Sequence, residues 1–433
     1  MDILSKLKDT SRFKQLYDVP FKLNGQMPSD LQIALFCNPC YGFGDIIFCL
    51  KMYNYIKEWY NIECTLFTTK PKPFIDNGIK KIFAVKVPGK AYVECANIKD
   101  MKIYSINEKG EPHKRVKPPV QYDLIFVTPW IGTDYEPKHS SMKPLFPYST
   151  RFNTFLFSEY NAPEPHKYDF PTGIGKGLYG LLITEWKITG EKIVNNPYLM
   201  VHLTQDDRVN VTACFSKFIK LMCQRYASKH PNLDVILPAH VLQDKKGIAK
   251  LISYIKEHKY YDVVDVITKK GEYPEHDVGT KVLRFRSELT PMPYEKYVSM
   301  FNYCLPDVLI TGDQSVTDII SCCKDYNIYY QIMPWKRNLA KNLSKVTGAQ
   351  KDYLRKVRDS CGLQKMSESK KLNLRQLEDK FDFRTLGKAK LDGVVNNARL
   401  LTTDKNVKKY IQIVLNSRKR STVVSKLKEY LKI

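Results

Sequence analysis

A chain of 433 residues, 43% hydrophobic and 26% charged, holds enough apolar material for two or three packed domains and is excluded from the wholesale-disordered class. Lys and Arg outnumber Asp and Glu 69 to 45, a formal net charge of +24. Such a charge favours nucleotide sugars, nucleic acid or anionic headgroups as partners and leaves the fold open.

The first thirty residues read as an N-terminal arm with a short helix, polar and without the apolar core of a signal peptide. From residue 31 the pattern is a domain running to 183. LQIALFCN (31–38) is a buried strand, ending in a turn with Gly42 and Gly44. The residues after Asp45 form a helix with a broad apolar face. CTLFTT (64–69), IKKIFAV (79–85) and YDLIFVTPW (122–130) are further strands. Strands alternating with helices predict a parallel sheet covered on both faces. Residues 131–180 are irregular, and include the glycine-rich run 173–180, read as either a loop over a cleft or a turn between domains. That run lacks P-loop spacing.

Residues 184–197 are a polar linker. Strand–helix alternation restarts at 198 and continues to 345, with strands at 197–204, 233–239, 261–268, 281–287, 306–313 and 328–335 and helices between them. This predicts a second doubly wound domain. Residues 346–433 read as a helical C-terminal region, with a strand signal only near its end. The 11 cysteines are scattered, several in apolar runs, as in a reducing compartment rather than a disulfide framework. The pair Cys37 and Cys40 has no second pair at zinc spacing. No apolar run reaches the roughly 18 residues of a membrane span, so the sequence predicts a cytoplasmic protein.

Two turns carry the chemistry. Gly42-Phe43-Gly44-Asp45 follows a strand and opens a helix, where bare backbone and free N–H groups can approach a ligand. Ile47 stands where a dinucleotide fingerprint would need its third glycine, and no acidic residue ends the second strand, so a nicotinamide-type site is rejected. The competing reading of Asp45 is a helix cap. Gly312-Asp313-Gln314-Ser315 repeats the geometry in the second half, and Ser315 and Thr317 could hydrogen-bond a phosphate. The competing reading is again capping. Lys336 and Arg337 follow the next strand, and Arg284 and Arg286 share one face of theirs. All four cations are candidates for pairing with phosphate, or for a solvated basic surface.

On these two turns, one per α/β half, the chain resembles the GT-B glycosyltransferases, most of all their heptosyltransferase-like branch. The resemblance implies two facing Rossmann-like doubly wound domains plus a helical tail. It implies Asp45 as general base toward an acceptor hydroxyl, the glycine loop Gly42 and Gly44 beside it, and Gly312, Asp313, Gln314 and Ser315 as donor-binding residues. The implied reaction is an inverting, metal-independent transfer from a nucleotide-sugar donor, with no cofactor and no metal ligand set. The acceptor is left open among glycan, lipid-linked and protein acceptors. Competing readings are a basic nucleic-acid-binding or nucleic-acid-modifying protein and an inactive scaffold of the same fold. Glu159 and His139 are the alternative bases.

Overall fold

A computed structural model describes residues 31–39, 43–88, 98–120, 122–129, 139–147, 149, 153–184, 192–205, 210–271, 273–322, 326–333, 336–347, 363–365 and 381–403. The N-terminal arm, Gly42, Cys40, residues 185–191 of the linker and the segments 352–360 and 406–433 of the tail lie outside them, as does the side chain of His139. The described residues form two units, with the chain passing from the first to the second after Leu182 and back to the first at Phe381.

In unit 1, β1 (Ile33–Cys37), β2 (Thr65–Thr68), β3 (Ile82–Lys86), β6 (Leu124–Val127) and β7 (Thr154–Leu156) run parallel, in the order β3-β2-β1-β6-β7. Every residue of β1, β2 and β6 is buried, as expected where helices and loops cover both faces and strands read as unbroken apolar runs. Helix α1 (Gly44–Tyr60) and the short α2 (Lys72–Asp76) connect the first strands. Phe67 anchors one face of the sheet, its ring meeting Phe83, Tyr122 and Phe146 at 5.3, 5.6 and 4.9 Å.

Two elements were not legible in the sequence: β4 (Lys102–Ile106) and β5 (Pro112–Val116) extend the sheet antiparallel beyond β3. The glycine-rich run belongs to unit 1 and is an ordinary tied turn. Gly173 and Gly180 exchange backbone hydrogen bonds at 2.9 and 3.1 Å, and Asn161 holds Ile174 through both its amide atoms.

Unit 2 contains β8 (Tyr198–His202), β9 (Asn232–Ile236), β10 (Val263–Ile267), β11 (Val282–Arg286), β12 (Asp307–Ile310), β13 (Asn327–Gln331) and β14 (Leu363–Lys365), ordered β10-β11-β9-β8-β12-β13-β14. All pairs are parallel except β13 with β14. That antiparallel strand lies in the stretch of the C-terminal region that the sequence reads as helical, well before the strand signal near its end. Helices α3 (Val211–Tyr226) and α4 (Lys245–Glu257) begin at side-chain caps, Asn210 accepting from Ala213 N and Asp244 from Gly247 N. Phe215, Phe218 and Met222 of α3, at helical spacing, enter a core with Tyr329 and Phe285. Helices α5 (Tyr294–Phe301), α6 (Asp313–Ser321) and α7 (Arg337–Thr347) complete the unit.

The last described helix, α8 (Leu386–Thr403), packs back on unit 1. Leu181 N donates to Phe381 O at 2.7 Å and Phe383 N to Leu181 O at 2.9 Å, joining the returning chain to the departing one. Tyr60 donates to Asp392 at 2.7 Å, and Lys390 lies over the Phe170 and Tyr179 rings. Among the described residues no helix is long and apolar enough to cross a membrane.

Candidate functional site

In an open α/β sheet, ligands settle outside the carboxyl ends of the strands where the winding order reverses. In unit 2 that reversal falls between β8 and β12. β8 ends at His202, which lies opposite Ile310, the last residue of β12. Two residues later the chain turns at Gly312, whose φ of 82° and ψ of 153° place it in a region that only glycine occupies readily. A Cβ there would meet no atom of the described residues within 4 Å, so the backbone conformation is what demands glycine.

Gly312 is the cap residue of α6 and offers no side chain to its amides. The helix start is therefore an electropositive end of the kind that holds anions. Lys336, which follows β13, reaches this turn: its Nζ stands 2.6 Å from Asp313 Oδ2, with both side chains nearly buried. The adjacent strands β8, β12 and β13 thus deliver His202, the Gly312–Ser315 turn and Lys336 to one edge.

Burial, assisted by the nearby His240, pushes the His202 imidazole down to about 4, so it is neutral at pH 7. Its ring meets that of Tyr297 edge-on at 5.8 Å. The Ser315 side chain lies by the Tyr297 hydroxyl, and the Gly312 backbone lies by the Tyr330 hydroxyl. Both phenols are pushed well up by burial. Gln331 ties this edge together, its side-chain oxygen accepting from Thr204 N at 3.0 Å and its backbone carbonyl from Thr311 Oγ1 at 3.2 Å. Gln314 is buried, and Thr317 turns inward to its carbonyl at 2.8 Å rather than outward. Arg337 opens α7 and is exposed.

Arg284 and Arg286 are not brought to this turn. They sit on β11, separated from β12 by β9 and β8, or about 14 Å at the usual strand spacing. Their charges are answered locally. Arg286 donates to Asp234 and Glu288 at 2.8 Å each, and also to the Tyr273 hydroxyl. Burial alone would depress Arg286, but these bonds outweigh it and hold the guanidinium above its usual range. Arg284 stands 3.7 Å from both Asp234 and Asp265. The alternation on one face is legible in the sequence, but the pairing with Asp234 on β9 and Asp265 on β10 is set by strand order, which the sequence does not display. His202 and Tyr297 were missed because neither lies in a glycine turn. The signal available was a histidine closing an apolar strand.

In unit 1 the winding reverses between β1 and β6. Gly44 and Asp45 lie in the first turn of α1, and Phe43, not Asp45, is its cap residue. Asp45 is half-buried and accepts a long contact from Cys37 Sγ through its carbonyl, at 3.6 Å. Across the reversal stands Thr128, whose fully buried hydroxyl has no hydrogen-bond partner among the described residues. Asn38, also buried, accepts from Thr69 at 3.3 Å. Glu159 follows β7 on the same edge, two strands from β1. Among the described residues no three His, Cys, Asp or Glu side chains are grouped to hold a metal ion.

The fold and these edges define a chain of two doubly wound α/β units, with a glycine turn at the reversal point of unit 2 and a helix that opens on Gly44 and Asp45 at that of unit 1. Solved structures to which the chain is similar include the following. The chain is similar to E. coli heptosyltransferase WaaC with ADP (10% identity, covering 69% of this chain and 86% of that one, TM-score 0.32). It is also similar to Acinetobacter baumannii MurG (8%, 87% and 99%, TM-score 0.37). A third similar structure is an alpha-glucosyltransferase in complex with UDP and a 13-mer DNA (8%, 84% and 100%, TM-score 0.38). No protein-family model matches the chain, and no curated protein sequence does.

Proposed function

We propose that the chain is a glycosyltransferase that takes its sugar from a nucleotide donor, and that unit 2 holds the donor's diphosphate at Gly312–Ser315. The observation that carries this reading is the convergence of His202, the Gly312 turn and Lys336 from three adjacent strands at a reversal point. Uncapped amides of α6 and the Lys336 ammonium supply positive charge without a metal. Asp313 now holds Lys336 as an internal anion, and an entering diphosphate exchanges for it. Neutral His202 donates or accepts a hydrogen bond without adding charge. In unit 1 Asp45 takes the role of base. As the acceptor oxygen attacks the anomeric carbon, its proton passes to the Asp45 carboxylate. The bond from that carbon to the diphosphate breaks, and the leaving oxygen keeps the electron pair. A single displacement of this kind inverts the anomeric centre.

Isothermal titration calorimetry with nucleoside diphosphates and nucleotide sugars tests the donor site. Loss of a charge-assisted hydrogen bond is worth about 1.5–3 kcal/mol, so Lys336→Met should weaken binding about tenfold or more. Unchanged affinity in a folded Lys336→Met chain refutes the site. With a substrate in hand, Asp45→Asn should lower turnover by about 10²–10⁴-fold, the usual cost of losing a base.

A further inference from the structure

Unit 1 carries a charged face that the nucleotide reading leaves unused. The antiparallel extension β3-β4-β5 sets Lys86 directly opposite Lys102, and Tyr104 opposite Arg115. Alternation puts Lys102 and Tyr104 on one side of β4. Lys86 and Arg115 join them from the neighbouring strands, and Lys117 continues the row past the end of β5. The other side is fixed by Ile103 and Val116, opposite one another, which pack into the unit's core. The Lys86 ammonium lies 5.1 Å from the centre of the Tyr104 ring. Lys86 and Lys102 are half-buried, Arg115 and Lys117 exposed. Among the described residues, none of these four cations has an ion-pair partner.

Lysine on an edge strand has an ordinary explanation, because it blocks edge-to-edge pairing. That covers Arg115 on β5. It does not cover Lys86 and Lys102, which sit on paired strands inside the sheet. Like charges directly across a strand pair destabilise a sheet, and half-burial raises the cost. A sheet face with a row of unanswered cations around an aromatic ring is the chemistry that tracks a phosphate backbone and stacks a base.

We infer that the Lys86–Lys102–Tyr104–Arg115–Lys117 face binds a nucleic-acid strand through its phosphates. The inference does not depend on the donor site in unit 2. It is tested with the full chain, by fluorescence anisotropy of a labelled single-stranded 20-mer at 50 and 200 mM NaCl. Four phosphate contacts on a single strand give a log–log salt slope near −2.8, or about a 50-fold loss of affinity over that range.

The quadruple variant Lys86→Gln, Lys102→Gln, Arg115→Gln, Lys117→Gln should lose most of that slope and bind at least tenfold more weakly at 50 mM. A control removing the same charge from exposed α4, Lys245→Gln, Lys246→Gln, Lys250→Gln, Lys256→Gln, should bind like the parent. Equal losses in the two variants would overturn the inference, as would an unchanged slope in the first. Capture by vesicles of anionic lipid with no binding of the oligonucleotide would overturn it too. Thermal melting and nucleoside-diphosphate titration of both variants establish that fold and donor site are intact.

Discussion

Arg286 is expected to hold unit 2 together rather than to bind a ligand, and Arg286→Met separates the two roles. Its guanidinium lies between two carboxylates whose side chains are 0% and 1% exposed, Asp234 at 2.8 Å and Glu288 at 2.7 Å. After substitution Asp234 keeps, among the described residues, Arg284 at 3.7 Å and the Asn196 amide at 3.2 Å. Glu288 keeps the Tyr273 hydroxyl at 3.0 Å, and its second oxygen is already buried without a partner among the described residues. Breaking a buried pair from one side costs about 3–5 kcal/mol, because the stranded charge stays buried. For a unit of this size each kcal/mol lowers the melting temperature by about 2–4 °C, so scanning calorimetry should show a fall of about 6–20 °C. Adding Asp234→Asn and Glu288→Gln removes the stranded charges and should restore much of it. Nucleoside-diphosphate affinity, measured below the transition, should not change. A fall of less than about 2 °C, or weakened nucleotide binding at full stability, would refute the reasoning.

Gly312→Ala should cost about 1–3 kcal/mol from its positive φ alone, read as a lower urea midpoint. Gly173→Ala should be at least as damaging, since the added carbon would sit 2.3 Å from the Asn161 side chain at a φ of 125°. This variant should melt early while leaving any nucleotide affinity of the surviving fold unchanged. His202 titrates at about 4 when folded against about 6.5 unfolded. The unfolded chain therefore takes up a proton first as the pH falls. The stability His202 confers is complete above about 6.5 and is lost from there down to its folded value, at most roughly 3 kcal/mol. Between pH 7 and 5, His202→Gln should lose less stability than the parent.

The parallel strands were legible because burial on both faces leaves no polar alternation: IALFC and LIFV read as strands in any context. The β4–β5 hairpin was not, because KIYSI and PHKRV are half polar and gain their structure from pairing, β4 with β3 and β5 with β4. The Gly312 turn was legible from glycine and helix-start chemistry, and Lys336 from its place one strand on. The placement of Arg284 and Arg286 away from the Gly312 turn was not legible, for a definite reason. A sequence shows which cations share a face but not which carboxylates the neighbouring strands set against them, and Asp234 lies 52 residues from Arg286. His202 depends likewise on Tyr297 and His240 arriving from distant segments.

The return of the chain to unit 1 at Phe381 has a consequence for biosynthesis. The ribosome delivers β1 to β7 and then all of unit 2 before α8 emerges to cover Tyr60, Phe170 and Tyr179. At about 5–20 residues per second, the aromatic seam under α8 waits roughly ten to forty seconds uncovered. The earlier-made unit is therefore the later one to mature, and the nascent chain passes through an interval in which unit 2 can be finished while unit 1 still exposes the surface most in need of a chaperone.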